Sequence, residues 1–148
     1  MNEWDLVGKR VLITGAARGI GEAIATRLHS KGALVSLVGL EVDKLDSIAN
    51  TLGERALSFE ADVSDKEAIN AAVEKTVAVF GGLDVVVANA GIYHVSPLSE
   101  VSSSAIERTL DVNLYGVWHT LHATLPHIKK SKGYVLTVAS MAALTHGR

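Results

Sequence analysis

Thr14-Gly15-Ala16-Ala17-Arg18-Gly19-Ile20-Gly21 closes one apolar run and opens a helical one, and its glycine spacing organises the reading of the whole chain. The run before it, Arg10–Thr14, is aliphatic and β-branched after its first residue. Gly15 permits a sharp exit from such a strand. Gly19 and Gly21 fall where a helix starts, and without a Cβ they allow close approach of a ligand or of the neighbouring strand. The free N–H groups and dipole of that helix end favour a pyrophosphate. Taken alone, the stretch is equally a tight strand-to-helix turn whose glycines serve packing. Its position in the chain decides between the two.

Outward from this turn, short apolar runs alternate with helical periodicity. The runs are Arg10–Thr14, Ala33–Val38, Ala56–Ala61, Leu83–Ala88 and Tyr134–Ala139. They are apolar almost throughout, as parallel strands covered on both faces are. Ile20, Ala23, Ile24 and Leu28 predict one helical stripe ending at Gly32, and Leu45, Ile48, Ala49 and Leu52 a second stopped by Gly53. A third helix is expected from Ser64, with Glu67 at capping-box spacing, through Ile69, Ala72, Val73, Thr76 and Phe80 to Gly81–Gly82. The longest runs from about Ser104 to Lys130, entered through Ser102–Ser104, with Pro126 expected to disturb its last turns. The order β-α-β-α-β-α-β-α-β predicts an α/β, doubly wound parallel sheet of five strands with right-handed crossovers. No repeat or linker divides the chain, so residues 1–148 read as a single domain. In such a sheet ligands bind beyond the carboxyl ends of the strands.

Composition narrows the function. The 148 residues are 48% hydrophobic and 20% charged, enough for a core. Fourteen basic against sixteen acidic residues leave a net charge of −2, which argues against nucleic acid or a membrane surface as a partner held by charge. The absence of cysteine removes disulfides, a thiolate nucleophile and Cys-ligated zinc. No apolar run approaches the roughly 18 residues of a membrane span, and Met1–Lys9 carries Glu3 and Asp5 without an apolar signal core. A cytoplasmic protein is expected. His119 and His122 lie three apart with His127 nearby, but no carboxylate stands at helical spacing, so no metal site is expected.

The order G-x-x-x-G-x-G from Gly15 to Gly21 resembles the cofactor turn of the short-chain dehydrogenase/reductase family. Three further motifs match in sequence: Asp62-Val63 after the third strand, Asn89-Ala90-Gly91 after the fourth, and Asn113 within Asp111-Val112-Asn113-Leu114-Tyr115-Gly116. The fifth strand then leads to Ser140. The resemblance covers essentially the whole chain and implies a Rossmann-type sheet in the strand order 3-2-1-4-5, with a nicotinamide cofactor contacted by Gly15, Arg18, Gly19, Ile20 and Gly21. It implies that Asp62 contacts the adenine with the Val63 backbone beside it. By residue chemistry alone, Asp62 is as readily an Asx-turn residue. Asn89, Ala90 and Gly91 would support the central strand and the cofactor ribose. At the second strand's end, NAD-preferring relatives commonly carry an acid at the position of Gly39, and NADP-preferring ones an Arg at that of Leu40. Neither is met. Glu41, two places later, suits ribose hydroxyls and repels a 2′-phosphate, whereas Arg18 could steady one, so the reading leans to NAD over NADP.

The resemblance further implies hydride transfer between the nicotinamide and an alcohol or carbonyl substrate. Ser140 would steady the substrate oxygen, and Asn113 would hold a water that links a Lys to solvent. The family's Tyr, and the Lys four residues after it, follow the Ser by roughly a dozen residues or more. This chain has eight residues after Ser140, and four places after Tyr93, Tyr115 and Tyr134 stand Pro97, His119 and Val138. The expectation is therefore the N-terminal portion of an oxidoreductase, inactive as residues 1–148 alone. The competing reading is a non-catalytic dinucleotide-binding sensor or scaffold. The family commonly dimerises through long helices, so a dimer or tetramer is expected of the longer protein, with Leu114, Val117, Trp118 and Leu121 exposing apolar surface in the short chain.

Overall fold

In a computed structural model, residues 5–97 and 99–141 are described. The chain order is β1 (Arg10–Thr14), α1 (Gly19–Ser30), β2 (Leu34–Gly39), α2 (Val42–Leu52), β3 (Ala56–Glu60), α3 (Lys66–Phe80) and β4 (Val85–Ala88). It continues with α4 (Ser103–Leu110), a π-helical turn (Asp111–Tyr115), α5 (Gly116–Ser131) and β5 (Tyr134–Thr137). All strand pairings are parallel, in the order β3-β2-β1-β4-β5 expected from the sequence. Alternation along β1 divides the core between the two faces. Val11 and Ile13 pack with Ala25, Val35, Leu37 and Leu45 on the α1 and α2 side. Leu12 packs with Ile69, Val73, Val86, Val112 and Ile128 on the α3 and α5 side. A run apolar at every position is what a strand covered on both faces requires.

Far from the glycine turn, a fork binds the two central strands. Arg10 donates through Nε and its backbone N–H to Asp84 Oδ2, at 2.7 and 2.9 Å, and through Nη2 to Oδ1 at 2.8 Å. Its Nη1 also donates to the Gly81 carbonyl at 3.0 Å. The fork fixes the relative height of β1 and β4, and so the level at which their opposite ends open.

Four local expectations change. The buried stripe of α1 is Gly21 and Ala25, with Ile24 and Leu28 packed at its edge, while Ile20 and Ala23 face outward. The reason is Gly21, which must lie beneath Gly15 and so sets the helix's rotation. The cap of α3 is Asp65, whose carboxylate accepts from the Glu67 and Ala68 N–H groups at 2.9 and 3.1 Å, and not Ser64. Ser64 instead donates to Asp62 Oδ1. Pro126 lies inside α5, which continues to Ser131 and ends on Lys132 at φ 53°. The expected long helix is broken in register by the π turn, where the Gly116 N–H reaches back five residues to Asp111.

That register change turns α5 so that Gly116, Thr120, Thr124 and Ile128 face the core. The threonine hydroxyls are satisfied by carbonyls one turn back, Thr120 on Gly116 at 2.8 Å and Thr124 on Thr120 at 2.7 Å. Gly116 permits the approach, since a Cβ there would stand 2.5 Å from a Val63 methyl. Part of the apolar surface falls on the other side. Leu114 and Trp118 are exposed, as expected, whereas Val117 is half-buried and Leu121 packs against the core. No described helix is long and apolar enough to cross a membrane.

Candidate functional site

Beyond the carboxyl ends of β1–β4 lies a cleft of about 270 Å³ lined by Gly15, Arg18, Glu41, Asp62, Arg108 and the segment Asn89–Ile92. Ala17, Gly39, Leu40, Ala61, Val63 and Val112 complete its wall. Parallel pairing brings these loops to one edge, because every strand ends on the same side.

The glycine turn is fixed from β4. Thr14 is buried, and its Oγ1 accepts from the Asn89 and Ala90 N–H groups at 3.0 and 3.1 Å. Asn89 Nδ2 donates in return to the carbonyls of Thr14, at 2.9 Å, and Gly15, at 3.2 Å. Asn89 thus bridges the two central loops. Gly15 stands at φ 65°, and a Cβ there would lie 2.8 Å from Ala90 Cα. A Cβ on Gly21 would strike the Gly15 carbonyl and the Asn89 amide. Gly19 differs: at φ 59° it faces open space, with nothing among the described residues within 4 Å of an added Cβ. Arg18 caps α1 with no side-chain bond to its first turn, unlike Asp65 on α3 or Ser102 on α4. The first-turn N–H groups therefore have no side-chain acceptor at the cap, the arrangement that receives an anion.

Glu41 is held between two cations, Arg18 Nε at 3.0 Å and Lys44 Nζ at 2.6 Å. The Lys44 hydrogen bond, with Arg18 and Lys44 charge, holds its carboxyl below the usual range against some desolvation. Asp62 follows β3. Burial raises its pKa, but the Ser64 hydroxyl and N–H and the Arg108 guanidinium outweigh burial and bring it below the usual value. Arg108 on α4 donates 2.7 Å bonds to Asp62 Oδ2 and to Ser64 Oγ. His119 places Nδ1 3.1 Å from the Val63 carbonyl, beside the same wall.

Of the residues singled out in the sequence, Gly15, Arg18, Glu41, Asp62, Val63, Asn89, Ala90 and Gly91 line this cleft. Gly19, Ile20 and Gly21 lie outside its lining, at the start of α1. Ser140 lies three residues beyond β5 and is exposed. Asn113 is in the π turn, and its amide is engaged: Oδ1 accepts from the Ile92 N–H at 2.9 Å and Nδ2 donates to the Ile92 carbonyl at 2.7 Å. It ties the helix to the loop after β4. Neither Ser140 nor Asn113 lines the cleft. Sequence reasoning missed Thr14 as an acceptor, Ile92 and Arg108. Thr14 stands within the glycine turn itself, whereas Arg108 gives no local signal, being 46 positions from its carboxylate partner.

A parallel sheet in this order, a glycine turn after β1 and a cleft across the adjoining strand ends define a Rossmann-type domain. The chain belongs to the short chain dehydrogenase family, whose model matches residues 9–148. Nodulation protein G of Rhizobium sp. (strain N33) is 36% identical over 143 residues, covering 96% of this chain and 58% of that protein. An uncharacterized oxidoreductase of Staphylococcus aureus (strain MRSA252) is 37% identical over 139 residues, 93% of this chain and 60% of its own length. Among solved structures, a 3-ketoacyl-(acyl-carrier-protein) reductase from Brucella melitensis complexed with NADH superposes with a TM-score of 0.89 at 35% identity, covering 93% of this chain and 59% of that one. A short chain dehydrogenase from Burkholderia cenocepacia J2315 in complex with NADP gives 0.91 at 34% identity, covering 97% and 60%. The chain thus spans about three fifths of the length of the relatives it matches.

Proposed function

We propose that this chain is the cofactor-holding portion of an oxidoreductase that moves a hydride between a nicotinamide dinucleotide and an alcohol or carbonyl. The observation that carries the reading is a single cleft edged by the glycine turn, Glu41, Asp62 and Asn89–Gly91. The residues fit the cofactor. Gly19 leaves open space beside a helix start without a side-chain cap, where a pyrophosphate would lie. Asp62 would accept from the adenine amine, and Glu41 from the ribose hydroxyls. When bound, the nicotinamide supplies or takes the hydride.

Glu41 favours NAD, because a 2′-phosphate would have to displace its carboxylate from Arg18 and Lys44. Titrating NADH and NADPH side by side tests this preference, and tighter NADPH binding overturns it. Ser140 would donate to the substrate oxygen, while Asn113 holds the helix against the Ile92 segment. Residues 1–148 hold no Tyr with a Lys four positions later. General acid–base catalysis contributes about 10²–10⁴-fold, so the chain alone is expected to show no useful turnover. The second reading is a cofactor sensor or scaffold, for which the cleft alone suffices.

One experiment separates them. Nicotinamide absorbance is followed with a panel of alcohols and ketones, for residues 1–148 and for a chimera that appends the remaining segment of a curated relative. The proposal expects turnover only in the chimera, with Ser140→Ala lowering turnover more than cofactor affinity. Turnover by residues 1–148 alone, or a folded chimera that binds cofactor and is inert on every substrate, contradicts it.

A further inference from the structure

Arg108, Asp62 and Ser64 form a closed ring of charged and polar groups at the edge of the cleft. Asp62 Oδ1 accepts twice from Ser64, from the N–H at 2.9 Å and from Oγ at 2.7 Å. Among the described residues Oδ2 accepts once, from Arg108 Nη2 at 2.7 Å. Arg108 Nη1 donates to Ser64 Oγ at 2.7 Å. Because a guanidinium only donates, the Ser64 proton has one direction left, towards Asp62. The polarity of the ring is therefore fixed, and it requires an ionised carboxylate. A carboxylate offers about four acceptor positions. Ser64 fills both on Oδ1, Arg108 fills one on Oδ2, and the fourth stays open on the oxygen that Arg108 grips.

From this count we infer that Arg108 is a positioning residue for base recognition: it holds Asp62 Oδ2 so that its one remaining lone pair accepts from the exocyclic amine of the cofactor's adenine. The inference rests on the cofactor reading above. The torsion that carries a carboxylate is broad and two-fold, so bonds from Ser64 to Oδ1 leave Oδ2 free to tilt. The Arg108 fork removes that freedom by reaching Asp62 and Ser64 together from α4. The consequence is selectivity against a base that carries a carbonyl in place of the amine, since two acceptors would then face each other. A role limited to tying α4 to the end of β3 predicts no such selectivity.

The test titrates the protein with NAD and with nicotinamide hypoxanthine dinucleotide, which carries a carbonyl at that exocyclic position and a proton on the adjoining ring nitrogen. The unmodified protein is expected to prefer NAD by about tenfold to a hundredfold, the scale of one hydrogen bond to a charged group. Arg108→Met should bring the ratio to within about threefold, because the open position is no longer aimed. Arg108→Lys keeps the charge but cannot span both partners, so its ratio should fall as well. It carries the test should the methionine variant fail to fold by far-ultraviolet circular dichroism. An equal loss of affinity for both dinucleotides, with the ratio kept, overturns the inference and leaves Arg108 a structural tie. An unchanged or increased ratio overturns it too, as does an unmodified protein that binds both dinucleotides equally. Should the unmodified protein bind neither, the cofactor reading falls first and takes this inference with it.

Discussion

At the scale of single residues, the three glycines of the turn do different work. Gly21 sits where an added methyl would strike the Gly15 carbonyl and the Asn89 amide, both held by other bonds. Gly21→Ala should therefore cost about 1–3 kcal/mol of stability, the scale of overpacking a tight contact, seen as a lower urea midpoint. An unchanged midpoint would show that the turn relaxes freely. The sequence made the turn legible as three small residues, because glycine spacing is local. It could not divide Gly19 from Gly21, since their roles depend on what β4 brings opposite. The same limit hid the cap of α3. Ser64 and Asp65 are both good caps by residue type, and Asp65 takes the position while Ser64 bonds to Asp62. Arg108 shows the limit most plainly, for its partner is fixed only once α4 has packed beside the end of β3.

At the scale of elements, the Arg10 fork and the Asn89 bridge hold β1 against β4 at opposite ends. The Arg10 hydrogen bond is the main reason Asp84 is held below the usual carboxylate range, against burial that pushes it up. A depressed folded-state pKa gives stability that is complete above the unfolded-chain value, about 3.9. That stability is lost as pH falls from there through the folded-state value. Asp84→Asn should destabilise the protein by about 2 kcal/mol at neutral pH, and should flatten the loss of stability below about pH 4. Denaturant titrations from pH 7 downward read this directly. A variant with the same acid dependence as the parent would remove the ion pair from the account. Strand order came from the family resemblance, but the five strands and the first three helices were legible at this scale because burial on both faces and 3.6-residue periodicity are written locally. The π turn was not. One extra residue per turn leaves composition unchanged, yet it turns α5 so that glycine and threonine face the core and Leu114 and Trp118 face out.

At the scale of the molecule, that rotation leaves α4, the π turn and α5 with an apolar outer face comprising Ile106, Leu110, Leu114, Tyr115, Trp118 and Leu125. Strand β5 is also exposed along its length. Exposed apolar area of this extent drives association, so residues 1–148 should sediment as oligomers or aggregates, and the pair Leu114→Glu with Trp118→Glu should shift them towards monomer. A monodisperse monomer of the unmodified chain would contradict this. The sequence pointed to Leu114 and Trp118 but also to Leu121, which packs inward because the π turn resets the phase. The central claim remains the cleft at the strand ends, and calorimetric titration of residues 1–148 with NADH tests it most directly. The account predicts saturable binding of about one dinucleotide per chain, abolished in a folded Gly19→Val variant, whose side chain would enter the open space beside the start of α1. Absence of binding by the folded parent, or undiminished binding by the Gly19→Val variant, would contradict it.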